Sequence, residues 1–141
     1  MSRNFREKAE EMIRRTGDRA TNNRIYILSV LLAEQQALTH REIEERVSIK
    51  QQLDRVTLYR VLEWLNKRNL AHKIASDDRV WRFRVNTVAH PHHHAHFKCT
   101  RCTKVTCLKE EPGLDFNPLL PIGYLFQEAE ITVKGLCAEC V

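Results

Sequence analysis

The 141-residue sequence contains no run of 18 apolar residues, which excludes a helical membrane span. Its first residues, Met1 to Glu11, are rich in charge and carry no apolar h-region, so no secretory signal and a cytoplasmic location are expected. No cysteine precedes Cys99, and the total of five is odd. Without a secretory signal, that argues against a disulfide framework and for thiols kept in a reducing compartment. There is no internal repeat, and no low-complexity tract apart from one cluster of histidines. A catalytic zinc centre would want a carboxylate base in a defined pocket, and nothing marks out Glu110 or Glu111 for that role. With no nucleophile–base constellation either, an enzyme acting on a small organic substrate is not expected. Aromatics are few at 7%, yet 43% hydrophobic and 29% charged residues are the composition of a soluble globular chain of one domain, or two very small ones.

What is present is unevenly distributed. Of the net charge of +5, residues 1–85 carry 18 Lys and Arg against 12 Asp and Glu, and residues 86–141 carry 5 against 6. All five cysteines lie between Cys99 and Cys140, and five of the seven histidines between His90 and His96. The basic half is a candidate for a polyanionic partner. The other half reads as metal ligands.

Four helices are expected first. Phe5 to Thr16 places Phe5, Ala9, Met12 and Ile13 on one stripe, with Gly17 suited to the C-terminal cap. Thr21 is an N-cap for a largely buried second helix. Thr39 and Glu42 have capping-box spacing at the start of a third, whose apolar residues are Ile43, Val47 and Ile49. Asp54 caps a fourth, with Val56, Val61, Leu62 and Leu65 expected to face inward. The turn between the third and fourth, Ser48 to Leu53, is short. Two strands then follow, Leu70–Ile74 and Val80–Val85, around a polar turn. Helices followed by a hairpin are the order of a winged helix-turn-helix. After a hinge the pattern turns to strands at Ala95–Lys98, Lys104–Leu108 and Tyr124–Lys134, where Leu125, Ala129, Ile131 and Val133 share a face. Pro112, Pro118 and Pro121 leave room only for a short helix. The whole is α+β: a winged-helix domain over 1–85, a His-rich hinge over 86–96 and a small metal-binding module over 97–141, too small to be stable by its core alone.

Cys99-Thr-Arg-Cys102 and Cys137-Ala-Glu-Cys140 are two CxxC pairs. Two knuckles complete a tetrahedral tetrathiolate shell, for which Zn²⁺, one per chain, is the usual occupant. An iron–sulfur cluster and a redox CxxC are the alternatives, but the βαβ context of a thioredoxin-like motif is absent. The spacing puts each pair at one end of a small sheet. His92, His93, His94 and His96 form a dense imidazole cluster on an extended segment, and Cys107, one strand away, is the cysteine left over. Together they are candidates for a second metal site, against the plainer reading of a solvated linker and a buried thiol. On the fourth helix Arg55, Thr57, Tyr59 and Arg60 lie outside the apolar stripe. They are candidates for contacts to phosphates and base edges, with Arg19 and Arg24 near the second helix as additional contacts.

Thr57-Leu-Tyr-Arg-Val-Leu resembles the TVYRVL signature of the ferric uptake regulator superfamily. His92-His-His-Ala-His-Phe-Lys-Cys99-Thr-Arg-Cys102 is similar to its HHHDHxxCxxCG stretch. Gly135-Leu-Cys-Ala-Glu-Cys140 resembles the second zinc knuckle, closest to the zinc-uptake regulator branch. The resemblance runs from about residue 5 to the C-terminus. It implies a homodimeric, metal-dependent transcriptional repressor that binds a palindromic operator in double-stranded DNA. The first domain would be the winged helix and the second the dimerisation domain, with metal at the hinge closing the dimer so that its two recognition helices fit successive major grooves. The family's hinge sensor draws ligands from the positions of Ala37 and Arg84, and a carboxylate from that of Cys107. His94 and His96 match two of its ligands. In an additional site His93 remains, while Ala95 and Ala129 stand where an Asp and a His are common. Thr103 replaces the Gly after the first CxxC. The His/His/Cys set that remains is softer and favours Zn²⁺ over Fe²⁺. Zinc-responsive control of metal-uptake genes is therefore the first expectation. An iron- or peroxide-responsive regulator, or a His-rich metal-buffering or delivery protein, are the alternatives.

Overall fold

A computed structural model describes residues 3–34, 36–47, 53–86, 95–108 and 115–141. The chain forms two compact units, Met1–His92 and His93–Val141.

The first unit opens with α1 (Arg3–Arg14), which packs Ala9 and Ile13 against α2 (Asn22–Ala33). Gly17 ends the first helical segment at φ 84°, a left-handed conformation glycine takes without a Cβ penalty. The Thr21 side chain caps α2 by accepting from the Arg24 N–H. Ile25 to Leu31 are all buried, so α2 is the central helix of the unit. The strand β1 (Leu38–Thr39) leads directly into α3 (His40–Val47). There the capping box is reciprocal: Thr39 N–H donates to Glu42 Oε1 at 2.9 Å, and Glu42 N–H to Thr39 Oγ1 at 3.1 Å. Asp54 caps α4 (Arg55–Lys67), accepting from the Thr57 N–H at 2.6 Å.

The inward face of α4 differs from the expected one. Leu58, Val61, Leu62 and Leu65 are buried, whereas Val56 is 60% exposed. The buried set has i, i+3, i+4, i+7 spacing, and at about 100° per residue Val56 stands roughly 200° around the helix from Leu58. Strands β2 (Ala71–Ile74) and β3 (Arg82–Val85) form the hairpin, and β1 adds to β3, giving the antiparallel order β1-β3-β2. Leu38 pairs with Phe83, whose ring is buried in the core. With α2, α3 and α4 followed by a wing, and α1 packed in front of them, this unit is a winged helix-turn-helix. Residues 48–52, including Ile49 and most of the expected turn, lie outside the described residues, as do 87–94 of the hinge.

In the second unit β4 (Ala95–Cys99) is the central strand, paired antiparallel with β5 (Val105–Cys107) and parallel with β6 (Ile131–Gly135). The expected strand Tyr124–Lys134 is shorter than its pattern. Pairing starts at Ala95↔Ile131, so residues 124–130 have no strand beside them among the described residues; Leu125 is 85% exposed and Val133 44%. Among the described residues around Pro118 and Pro121 the one helical element is a 3₁₀ turn, Asn117–Leu119, which contains Pro118.

Candidate metal centre and nucleic-acid interface

Parallel pairing of β4 with β6 brings their C-terminal ends side by side, with Cys99 opposite Gly135. Each strand runs into a turn that carries one CxxC pair, so both knuckles meet at the same end of the sheet. The four sulfurs of Cys99, Cys102, Cys137 and Cys140 lie within 4.8 Å of one another, and none of the five cysteines is in a disulfide. Cys102 Sγ and Cys137 Sγ are 3.7 Å apart. Tetrahedral Zn–S bonds of about 2.3 Å place two sulfurs about 3.8 Å apart, so the donor set fits Zn²⁺ in both chemistry and spacing.

The backbone prepares the site. The N–H groups of Cys102 and Cys137 both point at Cys99 Sγ, at 3.5 and 3.4 Å, one from each knuckle. These bonds hold the Cys99 thiol down at about 6, while hydrogen bonding to Cys137, with burial, pushes the Cys140 thiol up to about 12. A divalent cation would take all four as thiolates. Around them Arg101 donates to the Cys140 carbonyl at 2.8 Å, and the Thr100 N–H donates to the Gly135 carbonyl at 2.8 Å. A Cβ on Gly135 would lie 3.2 Å from the Phe97 ring, a tight contact that the ring would have to relieve by a few tenths of an ångström. Thr103 closes the first knuckle at φ 65°, a left-handed conformation that a β-branched residue rarely takes.

Of the residues read as a second metal site, His96 and Cys107 are directly opposite each other in the β4–β5 register. Both are buried, with ligand atoms within 4.8 Å of each other. His92, His93 and His94 lie outside the described residues. Ala37 is a buried methyl group, and Arg84 is a cation whose guanidinium donates to the Glu34 carbonyl, so neither can supply a metal ligand. His72 was not among the expected ligands. It is 2% exposed, and its Nδ1 sits 2.6 Å from Asn86 Oδ1, while the Asn86 amide donates to the Asn69 carbonyl. That orientation of the amide puts the ring proton on Nδ1, the arrangement in which a second partner orients a ligating imidazole. The only signal in the sequence was a histidine in an otherwise apolar strand start.

The outward face of α4 brings together Arg55, Val56, Tyr59 and Arg60, all exposed; Thr57 is half-buried beside the cap. Tyr59 is held on two sides: the His40 ring is 5.8 Å away and the Lys73 ammonium 5.9 Å from its centroid. Lys73 is in turn fixed by Glu63 at 2.7 Å and lies 4.7 Å over the Trp81 ring of the wing. Arg55 reaches Glu44 at 3.7 Å. Arg19 is exposed. Arg24 is engaged inside the domain, its guanidinium 3.9 Å over the Trp64 ring and donating to the Arg19 carbonyl.

Residues 15–117 match the family model described as Ferric uptake regulator family. No curated protein matches the sequence. Among solved structures, the chain is similar to the ferric uptake regulator Fur of Helicobacter pylori, at TM-score 0.67 and 20% identity over 97% of this chain and 91% of that one. It is similar to a zinc uptake regulator complexed with zinc and DNA, at TM-score 0.66 and 21% identity over 96% and 92%. It is also similar to a zinc-bound manganese uptake regulator, at TM-score 0.70 and 18% identity over 92% and 98%. At these identities the likeness is one of fold.

Proposed function

The chain belongs to the ferric uptake regulator family, whose members are metal-responsive transcriptional regulators and not enzymes, and we propose that it is a zinc-responsive repressor that binds a palindromic operator as a homodimer and controls metal-uptake genes. The observation that carries the DNA reading is the outward face of α4. Tyr59 is held there between His40 and Lys73, and Arg55 and Arg60 stand exposed on either side. Guanidiniums supply salt-dependent phosphate affinity and guanine contacts, and a fixed ring contacts a base edge. Thr57 and Arg19 add backbone contacts.

The tetrathiolate of Cys99, Cys102, Cys137 and Cys140 holds one structural Zn²⁺ per chain. A second metal is bound by His96 and Cys107 with His92, His93 and His94 from the hinge. The buried pairing of His96 with a thiol, and the loss of ligand character at Ala37 and Arg84, support Zn²⁺ over Fe²⁺ at this second site. Metal there stiffens the chain between the two units, so that two winged helices of a dimer keep one spacing. Metal and DNA binding are thereby coupled.

The test is fluorescence anisotropy on promoter DNA, with purified untagged protein titrated with Zn²⁺ and with Fe²⁺. Tighter, sequence-preferring binding is expected with Zn²⁺, at concentrations where Fe²⁺ has less effect. Binding that ignores both metals, by protein that retains its tetrathiolate zinc, would remove the sensor role.

A further inference from the structure

Val56 is the anomaly of α4. It is a β-branched apolar residue, 60% exposed, in the first turn of a helix. There it gains neither burial nor helix propensity, since valine is a poorer helix former than alanine. It stands one turn before Tyr59 and Arg60, so the three share a face, with Arg55 beside them. The result is a short apolar strip, a valine and the edge of an exposed aromatic ring, flanked by two exposed guanidiniums. A merely solvated face has no use for the strip, and an apolar protein partner has no use for the guanidiniums. A surface with cations at its margins and methyl groups between them is complementary to the major groove, where phosphates line the rims and the thymine C5-methyl projects from the floor.

The helix terminus itself does not seat a phosphate. The carboxylate of Asp54 occupies the Thr57 N–H, and that bond holds the carboxyl below its ordinary range, so it stays negative. The first turn therefore presents an anion at its cap and a hydrocarbon on its outer side, which suits a base edge.

We propose that Val56 is a specificity-determining residue: with Tyr59 it forms an apolar strip that reads the C5-methyl of a thymine in each operator half-site, close to the guanine or phosphate taken by Arg60. This rests on the reading of the protein as a DNA-binding regulator, and deepens it.

The test uses zinc-loaded full-length protein and a duplex selected by that protein from a randomised pool, resynthesised with dU in place of dT at one position at a time. The change removes one methyl group and nothing else. Burial of a methyl-sized group corresponds to about four-fold in affinity. Wild-type protein should lose about that factor at one thymine of a half-site. Val56→Ala, an exposed substitution that favours the helix, should bind the dT duplex more weakly, by up to about four-fold, and discriminate dT from dU at that position less than wild type does. If Val56→Ala discriminates dT from dU as strongly as wild type, or wild type discriminates at no position, the proposal is overturned while DNA binding stands. If the wild-type protein selects no sequence at all, the DNA-binding reading falls, and the proposal with it.

Discussion

Replacing Cys102 by serine separates the contribution of the metal from that of packing, because the Cys102 side chain is exposed. Substitution at such a position costs no more than about 0.5 kcal/mol in itself. Cys102 is nevertheless one of four sulfurs within 4.8 Å, 3.7 Å from Cys137 Sγ. The described buried apolar side chains of the second unit are few and small: Ala95, Val105 and the thiols Cys99 and Cys107. A unit of about 50 residues with such a core does not hold its fold alone. A structural zinc site of this kind contributes on the order of 10–16 kcal/mol at neutral pH, as much as or more than the whole stability of an ordinary domain. Losing one thiolate should therefore unfold the second unit and leave the first folded.

Two readouts separate the units. Both tryptophans, Trp64 and Trp81, lie in the first unit, so their fluorescence should melt much as in wild type. Trypsin should cut rapidly at Arg101, Lys104 and Lys134 in the variant and slowly in wild type. Zinc content, measured with a chelating dye after denaturation, should fall by one tightly held ion per chain. A zinc-free variant whose residues 93–141 resist trypsin like wild type would refute the reasoning, as would a variant that keeps a full complement of tight zinc.

Thr103→Gly should raise the unfolding free energy of zinc-loaded protein by up to about 1 kcal/mol, read as a higher denaturation midpoint. It relieves a left-handed threonine at about 1–2 kcal/mol and gives back part of that in glycine's extra unfolded freedom; an unchanged or lower midpoint would show that this turn is not strained. Asp54's carboxyl is held low by the Thr57 N–H, so its capping contribution is complete above the ordinary carboxylate range and is lost as pH falls through the lowered value. Thermal melts from pH 6 down to pH 2 should show that loss in wild type and not in Asp54→Asn, which keeps an acceptor at the cap; parallel curves would count against it. Arg60→Ala should weaken operator binding by about 1–3 kcal/mol and flatten its salt dependence, with metal content unchanged. Cys107→Ser should lower affinity for the second metal while the tetrathiolate zinc stays, as read by competition with a chromogenic chelator; unchanged affinity would return Cys107 to the role of a buried core thiol.

Much of this architecture was legible because it is locally encoded. Thr21, the Thr39–Glu42 pair and Asp54 each satisfy N–H groups within three residues of themselves, so their capping roles are visible in the sequence alone. The two CxxC pairs were legible as knuckles, but their meeting place depends on parallel pairing of β4 with β6, which no local signal carries. Long-range partners account for the differences. The strand expected from Tyr124 begins only where β4 begins, and the two-residue β1 exists because Phe83 offers it a register. Val56 was misplaced because a valine beside a buried stripe reads as part of it until the phase is set by Leu58 and Leu62. His72 was missed because its role depends on Asn86, fourteen residues away.

The central claim is that occupancy of the second metal site raises affinity for DNA. Its most direct test is the dissociation constant for the selected operator, measured with protein that holds only its tetrathiolate zinc and again after stoichiometric Zn²⁺ is added, at fixed ionic strength. Couplings between two sites in one protein are typically 5- to 150-fold, and the account predicts tightening in that range that is lost in Cys107→Ser. The same dissociation constant with and without the added metal would contradict it.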